Sequence, residues 1–228
     1  MGKMNIVVFT GAGISAEAGI STFRGSDGLW EKYRIEDVAT PQAWKKNPKL
    51  VLDFYNQRRK QVIETTPTKA HYQLAELQKL YPSTFIITQN IDDLHERAGS
   101  NVVHLHGEIR KARSTADDSL IVDIEGWRLD LGDLCPLGSQ LRPHVVWFGE
   151  DVPLMETAID IASKADIFLV IGTSLLVYPA ASLLYYVPAH AEKWIIDPNA
   201  ENMHVPGFKK ISQSASIGVK TWKNLMKL

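Results

Sequence analysis

The chain has 228 residues, 45% of them hydrophobic and 22% charged, with a net charge near −1. That length can bury one large core, or a core with a smaller lobe, and the balanced charge excludes the basic footprint of a general nucleic-acid binder. One cysteine, Cys135, excludes an internal disulfide framework and fits a reducing, cytoplasmic setting.

The first residues, MGKMNIVVFTGAG, lack the apolar region and cleavage site of a secretory signal. Ile6 stands where a myristoylation motif needs Ser or Thr. The same residues open the first predicted element, NIVVFT, a short β-branched run of the kind buried in parallel sheets. TFIITQN, IFLVIGT and KWIID read the same way. Between or beside these runs, Ala70 to Leu80, Met155 to Ser163 and Ser182 to Tyr186 read as helices. The tail SIGVKTWKNLMKL spaces Val219, Trp222, Leu225 and Met226 as one helix face. The most apolar stretch, IFLVIGTSLLVYPAASLLYYV, is broken by Gly172 and Pro179, so it predicts strand, loop and helix and no membrane span.

Alternating strands and helices predict an α/β fold, a Rossmann-like doubly wound parallel sheet. Two segments fit the alternation poorly. One, from about Trp30 to Thr66, looks helical, with Trp30, Trp44 and Phe54 as packing anchors. The other, from about Ile109 to Val145, is short-patterned, polar and turn-rich. The expected division is therefore 1–30, 67–108 and 146–228 for the Rossmann-like domain, with 31–66 and 109–145 forming a smaller inserted lobe.

Ligands of an open α/β sheet bind at the carboxyl ends of its strands. After the first run comes TGAGISAEAGISTFRG, where Gly11 and Gly13 permit a tight turn and a close backbone approach. A helix starting near Ser15 would aim its dipole there and favour phosphate. The glycine spacing does not match the hydride-transfer fingerprint, and Phe23 and Arg24 look like a loop laid over a ligand. After the second run, Gln89, Asn90 and Asp92 offer hydrogen bonds to sugar hydroxyls or a carboxamide; Asn90 or Asp92 also suits a helix N-cap. In NVVHLHG, either histidine has a pKa suited to a general base, and periodicity does not choose between His104 and His106. Gly172, Thr173 and Ser174 follow the third run, and Asp197 and Asn199 follow the fourth. On the helical segment, Tyr55 and Arg58 in DFYNQRRKQ share one face, either as ordinary helix surface or as a phenol and a guanidinium aimed at one carboxylate.

Five motifs in order, GAGISAEAGISTFRG, TQNIDDLHERAG, HLHG, LRPHVVWFGE and GTSLLVYPAA, resemble those of the sirtuin family of NAD-dependent protein lysine deacylases. The resemblance implies that Gly11, Ala12, Gly13, Ala16, Phe23 and Arg24 hold the phosphates of NAD and cover the nicotinamide ribose. It implies that Gln89, Asn90, Ile91 and Asp92 line the nicotinamide pocket, with Asn90 and Asp92 also catalytic, and that His106 is the general base while His104 is structural. Gly172, Thr173, Ser174, Asp197 and Asn199 would contact the adenosine ribose, and Ala215 the adenine. An acyl-lysine peptide would lie as an added strand between VVWFGE and TSLLVYP, touching Val145, Phe148 and Gly149. The Tyr-x-x-Arg pair implies that Arg58 and Tyr55 read the distal carboxylate of a succinyl or malonyl chain, with Ala39 leaving room for it. The expected reaction removes acetyl and succinyl groups from lysine and yields nicotinamide and O-acyl-ADP-ribose.

Most sirtuins hold a structural zinc with two Cys-x-x-Cys pairs, and here only Cys135 remains in that region. His104, Asp133 and His144 are conceivable substitutes, but zinc is not expected. Packing of Ile121, Val122, Ile124, Trp127 and Leu129 is the expected replacement. Ser21 where proline is common, and Asp197-Pro198-Asn199, also depart from the family pattern. Rival readings are a mono-ADP-ribosyltransferase, a non-catalytic NAD or ADP-ribose binding module, and a dehydrogenase. No nucleic-acid or membrane partner is expected.

Overall fold

The computed structural model describes residues 4–21 and 33–228. The expected positions Phe23, Arg24 and Trp30 lie outside the described residues.

In chain order the described elements are β1 (Ile6–Thr10), α1 (Gly13–Ala16), α2 (Ile35–Val38), α3 (Pro41–Lys46), α4 (Pro48–Glu64), α5 (Lys69–Leu80), β2 (Thr84–Thr88), α6 (Leu94–Arg97) and β3 (Val102–His104). There follow β4 (Gly107–Ser114), β5 (Ile121–Asp123), β6 (Leu141–Val145), α7 (Met155–Ala162), β7 (Ile167–Ile171), a 3-10 helix (Ala180–Tyr186), β8 (Glu192–Ile196), β9 (Lys209–Ile211) and α8 (Ala215–Met226).

Six parallel strands form the main sheet in the order β3-β2-β1-β7-β8-β9. The unbroken apolar runs follow from burial on both faces. Ile6 and Val8 of β1, with Ile167, Leu169 and Ile171 of β7, join a core with Leu74 and Leu77 of α5 and Val219 and Trp222 of α8. Their alternates Val7, Phe9, Phe168 and Val170 face the other way and pack on Ala158 and Ala162 of α7 and Leu183. Helices thus cover both faces, and the doubly wound expectation holds. The chain runs outward from β1 to β3 on one side and from β7 to β9 on the other. The order therefore reverses between β1 and β7, and a crevice opens at their carboxyl ends.

A second, antiparallel sheet has the order β5-β4-β6. Its segment reads as turns because β5 has only three residues and long loops flank it. Strands β3 and β9 were likewise too short for an apolar-run signal. Helices α3 and α4 each start on a Pro at the first position. Thr40 accepts from the Ala43 amide at 3.0 Å and Asn47 from the Leu50 amide at 3.1 Å.

Three sequence expectations need correction. Leu225 is 58% exposed, because the buried face of α8 runs through Ala215, Gly218, Val219 and Trp222 and rotates Leu225 outward. Ser182 to Tyr186 belongs to a 3-10 helix and not to an α-helix. In the small sheet, Ile121 and Trp127 are exposed, and the core is instead Ile124, Leu129, Cys135, Ala112, Leu141 and Leu52, with Val122 at its edge. Helix α4 supplies Leu52 and also a polar staple. The Asn56 side chain pairs with both backbone groups of Leu129, and the fully buried Arg59 donates to the carbonyls of Ile109 and Trp127 and to Asn56.

Candidate active site

One cavity of about 570 Å³ occupies the crevice and extends toward α4 and β6. At its strand-end side, Gly13 and Gly172 touch. A Cβ on Gly13 would lie 2.6 Å from the Gly172 Cα, and Gly172 itself has φ +60°. No side chain fits between the two turns, so bare backbone lines this wall. Helix α1 starts at Gly13, two residues before the expected Ser15, and is a single turn. Gly11, Ala12, Gly13, Ala16, Thr173, Ser174, Asp197, Asn199 and Ala215 all line the cavity. Gln89 bridges two strand ends, donating from Nε2 to the Thr173 hydroxyl at 2.9 Å and from its amide to the Thr10 carbonyl. Burial raises the Asp197 carboxyl pKa against the opposing bond from the Asn199 amide.

His106 also lines the cavity, and its Nδ1 lies 2.9 Å from the Gln89 carbonyl. A carbonyl only accepts, so Nδ1 carries the proton and Nε2 is the basic nitrogen. Burial lowers the His106 pKa, partly opposed by that hydrogen bond. Gly107 follows with φ +79° and turns the chain directly into β4. His104 is different. It bonds to the Asn90 carbonyl at 2.8 Å and to Glu96 at 2.6 Å, so both nitrogens donate. Burial disfavours its charge, but the bond and charge of Glu96, together with the Asn90 carbonyl and Glu108, outweigh burial and the pKa rises. His104 is thus engaged at both ring nitrogens, whereas His106 is bonded through Nδ1 and lines the cavity.

Asn90 and Ile91 reach the cavity wall, but Asp92 does not. It sits behind Ser15, accepting from that hydroxyl at 3.1 Å and from the Leu94 amide at 3.2 Å. Ser15 in turn accepts from Asn90 Nδ2 at 3.2 Å. Asp92 is thus linked through Ser15 to the cavity-lining Asn90. Asp92 orients Ser15, and Ser15 orients Asn90. Burial raises the Asp92 pKa despite both hydrogen bonds.

The far half of the cavity is walled by Ala39, Phe54, Tyr55 and Arg58 on one side and by Val145 to Glu150 on the other, including Phe148 and Gly149. Tyr55 is 4% and Arg58 7% exposed, so this face of α4 is not solvated surface. Burial pushes the Tyr55 phenol up to about 12, although Arg58 pulls it down, and it pushes Arg58 down to about 10. At neutral pH the pair is a neutral phenol beside a cation.

Sequence reasoning gave VVWFGE a peptide-clamping role but named no individual role for Arg113, Arg142, Trp147 or Glu150, which hold this wall. Glu150 accepts from Arg142 at 2.6 and 3.1 Å, from Arg113 at 3.1 Å and from the Trp147 amide at 2.7 Å. Arg142 stacks over the Trp147 ring at 3.2 Å, and the Trp147 indole donates to the Tyr55 hydroxyl at 3.1 Å. Arg142, Trp147 and Glu150 all lie within LRPHVVWFGE, but Arg113 and Tyr55 are 37 and 92 positions from their partners and no spacing signals those contacts. Among the described residues no group of three His, Cys, Asp or Glu could hold a metal ion, and no helix is long and apolar enough to cross a membrane.

Residues 11–179 match the family model described as Sir2 family. An NAD-dependent protein deacylase of Bacteroides thetaiotaomicron is 51% identical over 229 residues, covering 97% of each chain. One from Helicobacter pylori is 56% identical over 203 residues, covering 89% of this chain and 88% of that protein. A solved Sir2 homologue–NAD complex superposes with a TM-score of 0.86 at 39% identity, covering 98% of this chain and 89% of the other.

Proposed function

The chain belongs to the Sir2 family, and on that premise we propose that it is an NAD-dependent protein lysine deacylase that removes succinyl and malonyl as well as acetyl groups. One observation carries this reading. A single cavity joins a backbone-lined strand-end wall, a histidine with a free basic Nε2, and a buried phenol–guanidinium pair.

The strand-end half suits a dinucleotide. The whole cavity is in the size range of small-molecule sites, glycine backbone at Gly11 and Gly13 lets a ligand approach closely, and Asp197 and Asn199 offer acceptors to ribose hydroxyls. Bound NAD supplies a ribose carbon whose leaving group, nicotinamide, is already cationic. On this reading Gln89, Asn90 and Ile91 surround that group, and the Asp92–Ser15–Asn90 chain fixes the Asn90 amide. The segments Val145 to Gly149 and Ser174 to Pro179 hold the acyl-lysine peptide as an added strand, which aims its amide oxygen at the ribose. His106 Nε2 takes a proton from a ribose hydroxyl so that the hydroxyl can receive the acyl group. Tyr55 and Arg58 receive the distal carboxylate of a longer acyl chain. One water molecule is consumed as the lysine amine is released, and free lysine, nicotinamide and O-acyl-ADP-ribose are the products. A cytoplasmic site of action accompanies the reading, in keeping with a single buried thiol.

Product analysis by mass spectrometry tests it, using acetyl- and succinyl-lysine peptides with and without NAD. Release of nicotinamide and free lysine peptide from both substrates, only with NAD, is expected. Turnover of acetyl peptide alone would leave a plain deacetylase, and ADP-ribose attached to protein would favour a transferase.

A further inference from the structure

The Tyr55 hydroxyl can be a donor to substrate only if something else fixes where its hydrogen points. A phenol hydroxyl both donates and accepts, and its rotor settles on whichever partners surround it. Here the partner is Trp147. The indole Nε1–H is a donor with no acceptor capacity, and it lies 3.1 Å from the Tyr55 oxygen in a buried contact. Tyr55 must therefore accept from Trp147, and its own hydrogen turns away from the indole.

The indole is itself held. Its ring lies 3.2 Å under the Arg142 guanidinium and 5.8 Å from the Trp44 ring. Arg142 is bidentate to Glu150, and Glu150 also binds the Trp147 amide. The Trp147 side chain is thus fixed from its backbone and from its face, with its edge left for Tyr55. The buried Arg142 is thus paired with a half-buried Glu150, which is the condition under which such groups orient rather than destabilise.

We infer that Trp147 is a specificity-determining positioning residue. By donating to Tyr55 it commits the phenol hydrogen to the carboxylate of a dicarboxylic acyl chain. The inference rests on the proposed acyl-reading role of Tyr55 and Arg58, and it adds a residue from outside that pair. An acetyl group has no carboxylate for the phenol to reach, so the effect is confined to the longer, charged acyl groups. A ground-state contact with the acyl tail moves KM more than kcat.

The test is a double-mutant cycle on the full chain, with Trp147→Phe, Tyr55→Phe and the pair. Succinyl and acetyl forms of one peptide are assayed, with kcat and KM separated. Phe keeps a ring under Arg142 and removes the N–H. Loss of one hydrogen bond corresponds to about a three- to tenfold fall in the succinyl/acetyl ratio of kcat/KM, expressed mainly in the succinyl KM. In the Tyr55→Phe background the same change should lower the ratio no further. If the melting curve shows that Phe disturbs the fold, benzothienylalanine at position 147, which replaces Nε1–H by sulfur in the same shape, repeats the comparison. Equal losses for both acyl groups, or a loss that adds to that of Tyr55→Phe, would make Trp147 a packing residue and overturn the inference. Arg58→Met separates this failure from failure of the underlying reading. If Arg58→Met lowers the ratio and Trp147→Phe does not, only the inference falls. If the wild type does not desuccinylate at all, both fall.

Discussion

At the strand ends, Gly13 and Gly172 approach so closely that even a methyl group has no place, and the cavity wall there is backbone. Across the cavity, the wall is made of long side chains, Tyr55, Arg58 and Trp147, held by the partly buried Arg142–Glu150 pair. The first half is specified by what is missing from a few adjacent residues. The second depends on partners far apart in the chain, Tyr55 and Trp147 being 92 positions from one another. Sequence motifs record the first kind of construction well and the second kind only in fragments.

The sharpest way to break the contrast is at the base between the halves. His106→Ala should lower kcat/KM for every acyl group by about 10²–10⁴-fold, the usual weight of general acid–base catalysis. A drop for one acyl group only would move His106 out of the shared chemistry. Next, Gly13→Ala forces a Cβ to within 2.6 Å of backbone at Gly172. A cost of about 1–3 kcal/mol is expected from such overpacking, read as a lower melting temperature together with weaker NAD binding by calorimetry. An unchanged NAD affinity would show that this wall is not the cofactor's.

The pH profile sharpens the comparison further. Burial holds the His106 pKa below its ordinary 6.5, and only the neutral ring accepts a proton. Deacylation kcat/KM should therefore be lost as pH falls through a value below 6.5 and be flat through neutrality. An acid limb above 6.5 would contradict the buried, Gln89-bonded geometry. The smallest effect is expected from metal chelators. The small sheet is tied to α4 by Asn56 and Arg59 and closed over Leu52, Ile124 and Leu141, so a chelator should leave both melting temperature and activity unchanged.

The main sheet was legible because parallel strands buried on both faces leave continuous β-branched runs. The strand-end residues were legible because the turns after those runs carry their glycines and amides within a few positions. His104 and His106 were not separable by periodicity, since alternation says only that they differ. Their assignment came from the family resemblance, and the geometry supplies a physical reason in the Gln89 carbonyl and Glu96. Asp92 was expected beside Asn90 because it lies close to it in sequence, but its link to Asn90 through Ser15, 77 positions away, has no local signal. The small module was the least legible part. Its core draws on Leu52 from a different segment and leaves Ile121 and Trp127 outside, and no local pattern encodes that choice. Arg59 has its carbonyl acceptors 50 and 68 positions away, so no local pattern sets it apart from helix surface.

The central claim is that Tyr55 and Arg58 read the acyl carboxylate, and one measurement addresses it most directly. The succinyl/acetyl ratio of kcat/KM is determined for the wild type and for Arg58→Met on one peptide at saturating NAD. A charge-assisted contact of about 1.5–3 kcal/mol predicts that the ratio falls by about tenfold to a hundredfold. A ratio that does not change would contradict the account and reduce that half of the cavity to a passive wall.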